Sequence, residues 1–199
     1  MNKILKLALV LFLICAIVAG ILGVVDSITS GPIEMYQTAK SNAAKAAVLP
    51  VKAAEGEELY QELNLKELNQ PTTINANGQK IKILSVSRAS DGSGYVVETE
   101  FSGAQGTIVM MVGVSPSLKC TGISITKHSE TSGLGANAAS TADVGVNFRA
   151  QFVNVTKSVQ LKKAGGEIDA LSGATITSRS VTNATAAAIE FVESIQAAN

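Results

Sequence analysis

Between Leu7 and Val25 the chain reads LALVLFLICAIVAGILGVV, nineteen residues without a charge. As a helix this run rises about 28 Å, close to the hydrocarbon thickness of a bilayer. Lys3, Lys6 and the amino terminus precede it, and Asp26 and Glu34 follow it. The positive-inside bias predicts a cytoplasmic N-terminus and places everything after Asp26 outside. A secretory leader would have a shorter apolar core, of about 7–15 residues, followed by a small-residue cleavage site. No clear site of that kind is present. Ile14 is also too bulky to precede a lipidated Cys15. The expectation is an uncleaved, single-pass anchor whose surroundings are the lipid bilayer of the cell (inner) membrane. One span makes no ion channel by itself, so the segment is a tether or a helix packed against membrane partners.

This block accounts for part of the low charge content, 16% against the usual quarter. The 16 basic residues balance the 16 acidic ones. Nothing offers the basic field that nucleic acid requires, so that class is set aside. A length of 199 residues fits one domain plus the anchor. Cys15 and Cys120 are not expected to pair, and no CxxC occurs. Iron–sulfur, cysteine–zinc and thioredoxin chemistry therefore lack ligands. With His128 the only histidine, a multi-histidine metal centre is excluded as well, and no metal site is expected.

Beyond the anchor, Pro32 to Val48 contains an alanine-rich helical stretch that Pro50 stops. Glu55 to Leu68 is polar and reads as helix or extended chain. Residues 26–79 are expected as a membrane-proximal helical region, and 80–199 as the folded domain. Strand signals begin at Lys80. IKILSVSR, GYVVETEF, GTIVMMVGV and LKCTGISITKH read as four consecutive strands, with DGSG as the first turn. The uninterrupted run Ile108–Val112 marks the third as an interior strand. A C-terminal helix carries Val181, Ala184, Ala188, Val192 and Ile195 at spacings of three or four. The fold class expected is α+β: an N-terminal transmembrane helix and an extracytoplasmic antiparallel sheet packed by the C-terminal helix.

Two glycine-bearing loops interrupt this pattern, His128-Ser129-Glu130-Thr131-Ser132-Gly133-Leu134-Gly135 and Asp169-Ala170-Leu171-Ser172-Gly173-Ala174-Thr175. The second lies at the start of the C-terminal helix, where free N–H groups and the positive dipole end suit a phosphate. Gly173 allows close backbone approach. Ser172, Thr175 and Thr177 supply hydroxyls. Asp169 can orient a neighbour, cap the loop or help bind a metal during modification. Ordinary N-capping by Ser172 or Thr175 explains the same residues, and both readings stand.

The Asp169–Thr175 segment resembles the flavinylation motif of the FMN-binding domain family. In that family a threonine hydroxyl carries FMN through a phosphoester made by a dedicated flavin transferase. The matching residue is Thr175. The other loop resembles the family's second signature, histidine, any residue, then Glu-Thr-Pro-Gly-Leu-Gly. His128, Glu130, Thr131, Gly133, Leu134 and Gly135 match it, and Ser132 replaces the proline. A Gly-x-x-Gly turn at Gly103 and Gly106, the MMVGV strand, the anchor and the last helix extend the likeness over nearly the whole chain. It is similar to the short, single-span G subunits of ion-translocating ferredoxin:NAD oxidoreductase (Rnf) complexes. The C subunits of sodium-pumping NADH:quinone reductases share the domain but are usually longer.

The resemblance implies covalent FMN on Thr175, with Asp169, Leu171, Ser172, Gly173 and Ala174 around the attachment. It implies polar contacts from Glu130 and Thr131 to the ring or ribityl chain, and packing by Leu134 and Leu171. His128 would orient its loop or touch the flavin. The chain would then be an electron carrier without catalytic residues of its own. Its partners would be the other membrane and redox subunits of a complex exporting sodium or protons. The competing readings are a C subunit of a sodium-translocating NADH:quinone reductase, a membrane-anchored, non-redox binding module and a free-standing flavoprotein reductase.

Overall fold

The computed structural model describes residues 3–51, 58–68 and 70–198. The chain divides into two bodies, Met1–Asn42 and Ala43–Asn199. Helix α1 covers Lys3–Val48. In the first body its described apolar side chains are exposed on every side, Phe12 at 75% and Leu22 at 63% among them. A helix apolar all round has no stable place in water. It is long and apolar enough to cross a membrane.

The second body holds a six-stranded antiparallel sheet. Its strands are β1 (Tyr60–Leu63), β2 (Thr73–Ala76), β3 (Gln79–Ala89), β4 (Tyr95–Ser102), β5 (Thr107–Val114) and β6 (Cys120–Lys127). The order is β1-β3-β4-β5-β6, with β2 also pairing β3. The four strands read from the sequence form the meander, and β5 is interior.

The arrangement within residues 26–79 differs from the expected helical region. α1 continues unbroken to Val48 and ends just before Pro50. Residues 60–63 and 73–76 are strands, so the sheet begins at Tyr60. Of the polar stretch Glu55–Leu68, residues 55–57 lie outside the described residues. The 11-residue β3 draws in both short strands, pairing β1 near its end and β2 near its start. A four-residue strand shows too little alternation to be read alone. The β2–β3 turn carries the better signal: Asn77 and Gly78 sit at φ 52° and 80°, as a tight hairpin needs.

Helix α3 (Thr175–Ala198) covers one face of the sheet. Val181, Ala184, Ala188, Val192 and Ile195 are all buried there with Ile81, Ile83, Val97, Met110 and Val112. The opposite face carries a smaller cluster. There Ala44, Val48 and Leu49 meet Tyr60, Ala89, Val96 and Met111. Gly113 and Gly122 are cross-strand neighbours at this contact. A Cβ on Gly113 would stand 2.4 Å from the Val48 carbonyl oxygen, so only glycine admits the helix end. Two orphan carbonyls at the end of α1 find side-chain donors. Thr121 Oγ1 donates to Val48 O at 2.5 Å, and the Tyr60 hydroxyl donates to Leu49 O at 2.6 Å.

After β6 the chain makes a short 3-10 turn at Gly135–Ala139 and then α2 (Asp143–Ala150). Another 3-10 turn at Lys162–Ala164 precedes the loop that enters α3.

Candidate functional site

Three segments far apart in sequence converge beside the start of α3: the β4–β5 turn, the loop after β6 and the loop before α3. Glu130 joins them. Its Oε1 accepts the N–H of Gln105 at 3.0 Å, and its Oε2 accepts the Thr177 hydroxyl at 2.5 Å. The N–H groups of Ala104 and Gly106 also point at this carboxylate. The turn itself is closed by Gly103 N–H donating to Gly106 O at 2.7 Å. The glycines follow from the carboxylate's position. A Cβ on Gly103 would lie 2.4 Å from Oε1, and one on Gly135 would lie 2.2 Å from Oε2. Gly103 and Gly135 thus make room for the carboxylate, while a Cβ on Gly106 would meet Ser129 Cβ at 2.9 Å instead.

Glu130 is 9% exposed. Burial is the largest single influence on its carboxyl and pushes the pKa up. The donors from Gln105, Thr177, Gly106 and Ala104 together outweigh it and hold the pKa below its ordinary value. Glu130 is therefore a charged bracket between loops, with both oxygens already engaged.

His128 serves the same loop. It is exposed, and its Nδ1 accepts the Glu130 N–H at 3.3 Å. Leu134 N–H donates to Thr131 O, closing a turn with Gly133 at φ 77° in its third position. In that geometry a proline would suit the second position. Ser132 occupies it here without breaking the turn.

The loop before α3 is held from within by Ser178. Its Oγ accepts the Leu171 N–H at 3.0 Å and donates to Ala174 O at 2.9 Å. Gly173 adopts φ 70°, and a Cβ there would stand 2.9 Å from Leu134 Cδ2, so the two glycine loops touch. Ser172 is exposed and Thr175 half-buried. Among the described residues neither hydroxyl makes a hydrogen bond, so neither caps the helix. The N-capping reading of this loop is not realised.

Thr175 lines two cavities. One, of about 290 Å³, is bounded by Ala104, Gln105, Glu130, Thr131, Leu134, Gly135, Gly173, Ala174, Ile176 and Thr177. Leu134 and Ile176 give it an apolar rim, 44% and 59% exposed. The other, of about 300 Å³, is bounded by Lys162, Lys163, Asp169, Leu171, Ser172 and Gly173 among others. There Lys162 Nζ lies 2.5 Å from Asp169 Oδ2.

The residues singled out in the sequence are thus brought together around Thr175, except His128, which lines neither cavity. The sequence reading passed over Gln105, Ile176, Lys162 and Lys163, and it missed Thr177 as the partner of Glu130. The glycine spacing at 103–106 was the one available signal for that turn.

Residues 103–190 match the FMN-binding domain family. The G subunit of the ion-translocating oxidoreductase complex of Methanosarcina acetivorans is 31% identical over 96% of this chain and 95% of its own length. The G subunit of the sodium-translocating ferredoxin:NAD oxidoreductase complex of Acetobacterium woodii is 30% identical, over 96% of this chain and 92% of its own. The proton-translocating counterpart of Clostridium ljungdahlii is 40% identical over 49% of this chain and 52% of its own. The family match marks the α+β domain as an FMN-binding one, and in the chain it follows an apolar helix of membrane length. Within that class, the chain belongs to the family of G subunits of ion-translocating oxidoreductase complexes.

Proposed function

We propose that this chain is the electron-carrier subunit of a membrane complex of the ferredoxin:NAD oxidoreductase class, with FMN held on Thr175 through a phosphoester. The observation that carries the reading is the unengaged Thr175 hydroxyl at the mouth of an uncapped helix, where two cavities of different character meet. The residues present suit the group. Ser172, Gly173, Ala174 and the first N–H groups of α3 would hold the phosphate end. Lys162 and Lys163 supply positive charge on that side. Thr131, Leu134, Gly173 and Ile176 would take the flat apolar ring, with Glu130 bracing the wall behind it.

Bound FMN would supply the one- and two-electron chemistry that side chains lack. The chain's own task is to retain the cofactor, to orient it and to limit water around it. Asp169, Leu171 and His128 shape the loops that do this. A flavin transferase is the partner for maturation, and the other complex subunits are the partners in turnover.

Residues 1–6 would lie in the cytoplasm and 7–25 in the bilayer of the cell (inner) membrane, with the remainder outside. Lys3 and Lys6 ahead of the apolar run support that orientation. The relatives' names specify sodium in one case and protons in another, so the transported ion does not follow from family membership.

A Thr175→Ala chain co-produced with a flavin transferase tests the reading. Covalent flavin fluorescence on a denaturing gel should vanish, while Thr177→Ala keeps it. Undiminished fluorescence in Thr175→Ala would remove the attachment site. Absence of covalent flavin from the wild type under the same conditions would make the non-redox binding module the better account.

A further inference from the structure

The loop that enters α3 has an external support that neither glycine signature contains. Gln151 stands at the C-terminal cap of α2. Its Oε1 accepts the Asp169 N–H at 2.7 Å, and its Nε2 donates to Asp169 O at 3.3 Å. A primary amide can satisfy the donor and the acceptor of one residue together, as a neighbouring strand would. The Lys162–Asp169 ion pair joins two largely exposed side chains. Such pairs hold little by themselves. Both backbone groups of Asp169 are taken by Gln151, in exposed bonds, next to Ile168, whose N–H donates to Gln160 O and whose C=O accepts from Lys162 N–H; Leu171 and Ala174 are held by Ser178. Between these two supports the hydroxyls of Ser172 and Thr175 remain unengaged among the described residues.

We infer that Gln151 is a positioning residue for flavin attachment: it pins Asp169 and so keeps the segment leading to Thr175 in the one form a flavin transferase engages. The inference rests on the reading that Thr175 carries FMN. Attachment forms a P–O bond between Thr175 Oγ and the flavin-side phosphorus of a flavin dinucleotide. The P–O–P bond of that donor breaks, the nucleoside monophosphate leaves, and the hydroxyl proton passes to solvent. Gln151 touches none of these atoms. It acts on the fraction of chains whose loop is in place before the transferase arrives. Losing two hydrogen bonds to one backbone residue should lower the ratio of ordered to disordered loop about three- to tenfold, and slow attachment by up to the same factor.

The test uses the full chain in detergent with an active flavin transferase and a flavin dinucleotide. Intact mass is followed over time for the wild type, Gln151→Met, Gln151→Glu and Thr175→Ala, beside the melting temperature of each. Gln151→Met should load more slowly, by up to tenfold, with a fall in melting temperature of no more than about 5 °C. Gln151→Glu keeps the acceptor of the shorter bond and should load faster than the Met variant. Wild-type loading at Thr175 with an equal rate in Gln151→Met overturns this inference alone. Slow loading with a fall in melting temperature well beyond about 5 °C overturns it as well, since the role would then be structural. Flavin located elsewhere than Thr175 in the wild type overturns the attachment reading, and this inference with it.

Discussion

Removing the Glu130 carboxylate should loosen three loops at once. In the structure it accepts hydrogen bonds from the Gln105 N–H and the Thr177 hydroxyl, and the N–H groups of Ala104 and Gly106 point at it. A hydrogen bond to a charged group contributes about 1.5–3 kcal/mol net, and a donor left unsatisfied costs about 1–3 kcal/mol. These values do not add, because the turn's N–H groups can reach water and the Thr177 hydroxyl can rotate. Burial of the charge offsets part of the gain. Glu130→Ala should therefore cost about 3 kcal/mol, and Glu130→Gln, which keeps one acceptor, about half that.

For a domain of this size, about 3 kcal/mol lowers the melting temperature by roughly 6–12 °C. The sign with pH follows from the lowered pKa of Glu130. Its stabilisation is fully present above the ordinary carboxylate range and is lost as pH falls through and below that range. Wild type and Glu130→Gln should thus converge in acid. Thermal melts of both full-length chains in detergent, from pH 7 downward, read this directly. A Glu130→Ala chain melting within about 1 °C of wild type at pH 7 would refute the reasoning. So would a gap that widens in acid.

Gly113→Ala should displace Val48 from the sheet, since its Cβ would lie 2.4 Å from the Val48 carbonyl oxygen and 2.2 Å from Thr121 Oγ1. The expected cost is about 1–3 kcal/mol by chemical denaturation. Wild-type stability would show that the end of α1 does not sit where the structure has it. Cys120 is fully buried, and burial pushes its thiol up to about 12 despite an opposing hydrogen bond from the Gly122 backbone. It should resist thiol reagents in the native state and react on unfolding. Fast labelling of folded protein would contradict the packing.

Much of this structure was legible where the signal is local. The uncharged run at Leu7–Val25 needs no tertiary information. The four strands from Gln79 to Lys127 show as apolar runs between turn residues, and the α3 stripe shows at helical spacing. β1 and β2 were not legible, because each is four residues long and exists only beside β3. The helical stretch within Pro32–Val48 was legible, but not that it continues the apolar run as one helix, α1, from Lys3 to Val48.

At the site, the matching loops named the residues but not their division of work. Glu130 looked like a flavin contact, whereas the structure engages both its oxygens with the protein. Its partners lie 25 and 47 positions away. Ser172 and Thr175 looked like caps, but Ser178, one turn into α3, holds the loop instead. Gly113 and Gly122 have a purpose only once Val48 arrives from more than sixty residues upstream.

The central claim is the flavin on Thr175, and peptide-level mass spectrometry of protein from its native membrane tests it most directly. Trypsin should release Ala164–Arg179 as one peptide, which contains Ser172, Thr175, Thr177 and Ser178. The account predicts an added mass of about 438 Da, one FMN less water, with fragment ions placing it on Thr175. The same peptide unmodified, from membranes that contain an active flavin transferase, would contradict it.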